Sequence, residues 1–210
     1  MFKVALYLLI AVILAIFLLP FFYTVSPYQL DSSKILQAPS LEHLFGTDRL
    51  GRDMLARILE GGQTSLIIGF LAASISSIVG LFIGINAGYF KGNIDKSITI
   101  TIDLFLTFPT FFLLLALVSY IQASAVILII VISITGWMGM ARMIRSESFA
   151  IGNKPFIKIL KVANVSTFKI IFKYFAPLLA PIFLISFTFG VGGSILAESG
   201  LSFLGLGINP

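Results

Sequence analysis

Apolar residues run in long unbroken blocks along this chain, and polar residues fall between the blocks rather than alternating with them. A helix that crosses a bilayer needs about 17–25 mostly apolar residues, and the pattern predicts five such spans. The first, Val4 to Phe22, reads "VALYLLIAVILAIFLLPFF". It is longer than a signal-peptide core and no small-residue cleavage site follows, so it predicts a retained span. The second runs from about Ser65 to Tyr89 and is rich in Gly, Ala and Ser, residues that let helices approach closely in lipid. The third, Ile98 to Ile121, contains Asp103 and Pro109. The fourth, Ala125 to Ala141, contains Trp137 and is followed by Arg142 and Arg145. The fifth runs from near Phe175 to about Ala197 and leads into the Gly-rich tail "ESGLSFLGLGINP".

Two polar stretches carry a helical pattern of their own. In "FGTDRLGRDMLARILEGG", Leu50, Met54, Leu55, Ile58 and Leu59 share one face. Thr47 or Asp48 is placed to cap the start, and Gly61 or Gly62 to end it. This pattern predicts a separate amphipathic helix on the outer membrane surface, either simply capped and ion-paired or docking a partner. The second stretch is "KPFIKILKVANVSTFKIIFKYFAP", Lys154 to Pro177. Ile157, Leu160, Val162 and Val165 support a short helix, Asn164 to Thr167 reads as a turn with an N-cap, and a second short helix starts at Phe168. An apolar ridge framed by Lys158, Lys161 and Lys169 suits either a groove on a partner or anionic lipid.

Composition fixes the class. Hydrophobic residues make up 58% of the 210, charged residues only 11%, and mean hydropathy is +1.06. Soluble domains carry about 25% charged residues, so too little polar surface exists to coat a water-facing globule. The net charge of +5 records membrane topology rather than nucleic-acid binding. Ten of the fourteen basic residues fall on one side if the N-terminus is cytoplasmic. That orientation puts Lys154–Pro177 in the cytoplasm and the Gly-rich tail outside.

The candidate chemistry is sparse. The chain has no cysteine and one histidine, His43, so no thiolate site and no catalytic constellation is expected. His43 reads as a solvent-exposed loop residue rather than a metal ligand, since a site needs several donors. No phosphate-binding glycine loop is present. Any ATP used must therefore be bound, with its Mg, by another polypeptide. Asp103 and Glu198 lie in or beside apolar runs, where a carboxylate is either paired, exposed at the interface, or part of a pathway.

Four strings together resemble a known family. "LFGTDRLGRDMLARILEGGQTSL", "GINAGYFKGNIDK", "IDLFLTFPTFFLLLAL" and "ILAESGLSFLGLGINP" occur in order between Leu44 and Pro210. They are similar to segments of the second permease of bacterial ABC importers for dipeptides, oligopeptides and nickel. The resemblance implies an all-α polytopic protein of the type I importer permease fold, multi-pass in the bacterial cytoplasmic membrane. It also implies a homologous second permease, two cytoplasmic ATPases, an extracytoplasmic solute-binding protein and alternating access as the mechanism. The expected organisation is residues 1–62 as a first span with its external amphipathic segment, and residues 63–210 as the permease core. Because the family usually carries a sixth span, the C-terminal one is expected to be missing here.

The resemblance assigns Phe156, Ile157, Lys158, Leu160, Lys161, Asn164, Val165 and Phe168 to an ATPase-coupling loop. Within it, Lys158 and Asn164 stand where the family has Glu and Gly, a drift that leans toward nickel-type members. Gly46, Thr47, Asp48, Gly51, Arg52 and Asp53 form the external motif. The residues alone leave two other readings open: a stand-alone secondary transporter or channel, and a membrane scaffold.

Overall fold

A computed structural model describes residues 2–120 and 124–208. Ile121, where the third apolar run ends, and Asn209 and Pro210 of the tail lie outside the described residues. The described chain is helical outside a long loop, residues 22–53, which holds one 3-10 turn at Ser32–Lys34 and an isolated bridge between Thr47 and Asp53. The helices are α1 (Phe2–Leu18), α2 (Met54–Phe90), α3 (Gly92–Thr107), α4 (Thr110–Ser119), α5 (Ala125–Gly152), α6 (Pro155–Val162), α7 (Thr167–Ile170) and α8 (Ala176–Phe203). Four helical stretches among the described residues are long and apolar enough to cross a membrane, and the bent pair α3–α4 makes a fifth if it counts as one span. The chain divides into two compact units between Ile67 and Ile68.

In the first unit, the separate surface helix expected after the first span does not exist. Gly61 and Gly62 lie inside α2, which runs unbroken for 37 residues. Neither glycine takes the left-handed conformation that terminates a helix. The start lies at Asp53 rather than at Thr47 or Asp48, because Asp53 Oδ1 accepts the Ala56 N–H at 2.7 Å. Gly62 instead gives room to α1, since a Cβ there would sit 3.1 Å from the Ile16 side chain. Beside it, the Gln63 side-chain amide donates to the Ile16 carbonyl at 2.9 Å.

In the second unit, α2 and α5 pack backbone against backbone. Gly80, Gly84 and Gly88, four residues apart, fall on one stripe of α2. A Cβ on Gly84 would lie 2.7 Å from the Ala141 carbonyl oxygen, and one on Gly80 would lie 2.6 Å from Met140 Cβ. Small residues at such spacing are how helices associate where lipid removes any hydrophobic drive between them. Two buried clusters flank this contact. One gathers Ile85, Tyr89, Ile144, Ile157, Phe175 and Leu179; the other gathers Ile68, Leu114, Val118, Leu128, Ile132 and Leu201.

The later spans also differ from their expected bounds. The third starts earlier, at Gly92, and breaks by 77° between α3 and α4. The cause is Pro109, which drives Phe108 into extended backbone at ψ 132°. The fourth continues past Arg142 and Arg145 to Gly152, because both guanidinium groups are paired. The second short helix expected at Phe168 is not separate, since Thr167–Phe203 is one helical stretch. Its residues Ile171–Phe175 form a π-turn in which the Ala176 N–H reaches back to the Ile171 carbonyl. Pro177 supplies no N–H to the carbonyl four residues upstream, and the wider turn accommodates that loss.

Candidate functional site

The segment Lys154–Pro177 folds as α6, a tight turn, and the start of the final helical stretch. Pro155 opens α6 with its preset φ. The turn requires left-handed backbone at Asn164, φ +54°. This is the position where the resembled family has glycine, and Asn is the side chain that bears this conformation best. Ser166 holds the cap position of α7 but makes no side-chain cap bond.

The apolar residues of this segment divide between two faces. Ile157 is fully buried, and Leu160 and Val165 pack against the same cluster, so these three candidates hold the segment down. The exposed ridge is formed by Phe156, Ile159, Val162, Phe168 and Phe172. Of these, only Phe156 and Phe168 were expected in the coupling set. Ile159 and Val162 were legible, because they follow Phe156 at steps of three. Lys158 stands exposed beside the ridge. Lys161 turns back, with its ammonium 4.1 Å from the centre of the Tyr89 ring. Tyr89 was not picked out by the sequence. Its hydroxyl lies 3.4 Å from Thr167 Oγ1, and its ring meets Phe175 edge-on at 5.4 Å.

Between α2, α4, α5 and α8 lies a cavity of about 520 Å³. Its wall carries serine and threonine hydroxyls, including Ser76, Ser77, Thr135 and Ser194, together with glycines and apolar side chains such as Met140 and Phe189. Among the described residues no Asp, Glu, Lys, Arg or His lines it. The two carboxylates singled out from the sequence lie elsewhere and are paired. Asp103 binds the Arg142 guanidinium, and Glu198, buried in α8, accepts the Ser202 hydroxyl at 2.6 Å. A second pair, Asp95 with Arg145, joins α3 to α5, with Arg145 Nη2 2.9 Å from Asp95 Oδ2.

In the first unit the GTD–RLG–RD motif builds a self-contained knot. Gly46 and Gly51 both have φ +74°, and a side chain on either would collide with the loop backbone at Gln37 or Asp31. The Thr47 hydroxyl donates to the Lys34 carbonyl and accepts the Gln37 N–H at 2.9 Å. Asp48 receives Arg52 Nε at 2.9 Å, Arg57 Nη1 at 2.5 Å and the Leu50 N–H at 2.8 Å. Burial opposes its ionisation, but the Arg52 and Leu50 amides and the two guanidinium groups outweigh that and hold its carboxyl well below the usual range.

Asp53 is almost wholly buried. Its Oδ2 accepts the Tyr23 hydroxyl at 2.6 Å and faces His43 Nδ1 at 2.9 Å. Burial again opposes ionisation, and the Ala56 amide, Tyr23 and His43 overcome it, so Asp53 too titrates below its ordinary value. Burial and the same carboxylate push the Tyr23 hydroxyl up to about 12. The expectation of a solvent-exposed His43 is therefore wrong: its side chain is only 12% exposed, because the Asp53 carboxylate draws it in.

Residues 76–209 match the family model described as "Binding-protein-dependent transport system inner membrane component". Over 195 residues the chain is 37% identical to the oligopeptide transport system permease protein OppC of Mycobacterium bovis, covering 92% of this chain and 66% of that protein. It is 33% identical to OppC of Haemophilus influenzae over 205 residues, covering 97% of this chain and 66% of the relative. The dipeptide transport system permease protein DppC of Bacillus subtilis is 36% identical over 170 residues, 81% of this chain and 53% of that protein.

Proposed function

The chain belongs to the family of binding-protein-dependent transport system inner membrane components, and on that premise we propose that it is a permease subunit of an ABC importer for short peptides. It is a multi-pass membrane protein and its family is one of transport components, not enzymes. The observation that carries the reading is the divided face of Pro155–Val162. One side is anchored by Ile157 in the core of the second unit, and the other offers Phe156, Ile159 and Val162 to a partner. An apolar ridge with basic neighbours suits a groove on a cytoplasmic ATPase.

In this reading the N-terminus is cytoplasmic. Two ATPases, which bind ATP and Mg themselves, dock on this segment of the chain and of a homologous second permease. A binding protein delivers cargo to the opposite face. ATP-driven closure then exchanges access to the cavity from one side of the membrane to the other. The names of the relatives, two oligopeptide permeases and one dipeptide permease, favour peptide over nickel as cargo. The hydroxyl-lined, uncharged cavity agrees with them, since amides are matched by neutral donors and acceptors.

Co-purification in detergent tests the assignment. The ATPases are expected to accompany the full chain and to be lost on deletion of Phe156–Phe168. Retention after the deletion would refute the docking role.

A further inference from the structure

Two glycines inside long helices stand apart from those that pack. Gly80, Gly84 and Gly88 make room for α5, whereas a Cβ built on Gly139 of α5 or Gly193 of α8 would find no neighbouring atom within 4 Å among the described residues. Neither stands at a helix end or has positive φ. Glycine is the poorest helix former after proline, and in membranes small residues ordinarily serve close helix contact. Neither a turn nor a contact calls for glycine at these two positions.

What the two share is the cavity of about 520 Å³, whose wall both help to form. The other two glycines of that wall do have neighbours, Gly136 against Ser76 and Gly190 against Ala73. At about 100° per residue, Gly139 falls between the lining residues Thr135 and Met140 around α5, and Gly193 between Phe189 and Ala197 around α8. Each therefore faces the middle of the space.

The two positions are also close along the helices. The Ser186 hydroxyl meets Met143 Sδ at 3.4 Å, and Leu128 and Leu201 share a buried cluster, so α5 and α8 run antiparallel. Gly139 and Gly193 both lie between those two contacts. At about 1.5 Å per residue, counted from Met143 and Ser186, they stand about one helical turn apart along the axes.

We infer that Gly139 and Gly193 set the upper size of the solute that the cavity admits. Their missing side chains leave the room in which a bulky apolar side chain of a short peptide lies, with Ile132, Met140 and Phe189 as its apolar wall. That the solute is a peptide rests on the import reading; that these positions limit its bulk rests on the cavity. An apolar pocket discriminates about 10–200-fold for one methylene group. A side chain restored at either position thus narrows the site to small residues.

Initial uptake of dialanine and of diphenylalanine into proteoliposomes holding the complete importer tests this, for the unaltered chain, Gly139→Leu and Gly193→Leu. One binding protein serves every variant, so its own preference cancels in the ratio of the two rates. Each substitution is expected to raise the ratio of dialanine to diphenylalanine uptake at least about tenfold, with dialanine uptake and co-purification of the second permease retained. Gly192→Leu, at a glycine in open space that does not line the cavity, is expected to leave the ratio unchanged. An unchanged ratio in the two cavity variants overturns the size limit, and so does an equal shift in Gly192→Leu. Loss of the second permease would mark the glycines as a packing surface and overturn it too.

The absence of cysteine gives a readout that does not depend on import. Gly139→Cys in the same complex is treated with methyl or benzyl methanethiosulfonate, and labelling of this chain is read by mass. Adding Gly193→Leu is expected to slow the benzyl reagent about tenfold and to spare the methyl reagent. Equal slowing of both, or of neither, overturns the size limit. Selective slowing in a complex that imports neither peptide would overturn the import reading and keep the size limit.

Discussion

Lys161 lays its ammonium over the face of Tyr89, 4.1 Å from the ring centre, and so ties the exposed segment α6 to the end of α2. The tie has two strengths. A cation over an aromatic face at an exposed site contributes about 0.5–1 kcal/mol, whereas the ring itself is buried among Phe175 and the core. Lys161→Gln is expected to lower stability by no more than about 1 kcal/mol. Tyr89→Ala should cost about 3–5 kcal/mol, as for other buried aromatics. Thermal unfolding of the purified chain measures both. Equal effects would show that the ring contributes nothing beyond its partner cation.

The two faces of α6 make opposite predictions. Ile159→Asp on the exposed ridge is expected to leave the unfolding temperature within a degree or two and to abolish ATPase co-purification. Ile157→Asp places a carboxylate in the core and is expected to prevent folding. If Ile159→Asp retains the ATPases, the ridge is not their docking surface.

Asn164 sits in left-handed backbone. Asn164→Gly should be neutral or slightly stabilising, and Asn164→Val should destabilise by about 1–2 kcal/mol. Faster tryptic cleavage at the neighbouring lysines of the valine variant is the simplest readout, and an unchanged rate would count against the turn.

Gly84 has no room for a side chain between α2 and α5. Gly84→Leu is expected to cost at least the 1–3 kcal/mol typical of overpacking, whereas Gly61→Ala, in open space, should be neutral or favourable. Detergent-extracted yield and unfolding temperature separate the two.

The knot before α2 should respond to pH at both ends of the scale. Asp48 and Asp53 titrate below their ordinary values when folded, so the unfolded loop binds more protons in mild acid. The stability they contribute is complete above the unfolded value of about 4 and falls as pH drops through the folded values. Tyr23 acts in the opposite sense. Raised to about 12, it contributes fully below its unfolded value of about 10 and loses that contribution as pH climbs through 12. Hydrogen exchange in residues 23–53 should be flat across neutrality and rise at both extremes beyond its intrinsic pH dependence. Asp53→Asn should remove much of the acid response.

The helical class and the run of spans were legible in the sequence because lipid leaves helices few alternatives. Legible too was the turn at Asn164. The failures have local causes. Gly61 and Gly62 looked like a helix end, but a glycine ends a helix only when its backbone turns left-handed, and composition does not report that. His43 looked solvated because its partner, Asp53, is ten residues away and is drawn close only by the fold of the loop. The coupling set mixed the two faces of α6, since Ile157 and Ile159 are both apolar and only the core decides which one it takes.

The π-turn at Ile171–Phe175 has a consequence for direction. Each residue of an α-helix advances the azimuth by about 100°, and a turn that accommodates one residue more shifts everything on one side of it by about that amount relative to the other. Phe168, in the exposed ridge, therefore leaves the chain on a bearing relative to α8 that an ordinary helical turn would not give it. One wide turn thus aims part of the segment's surface.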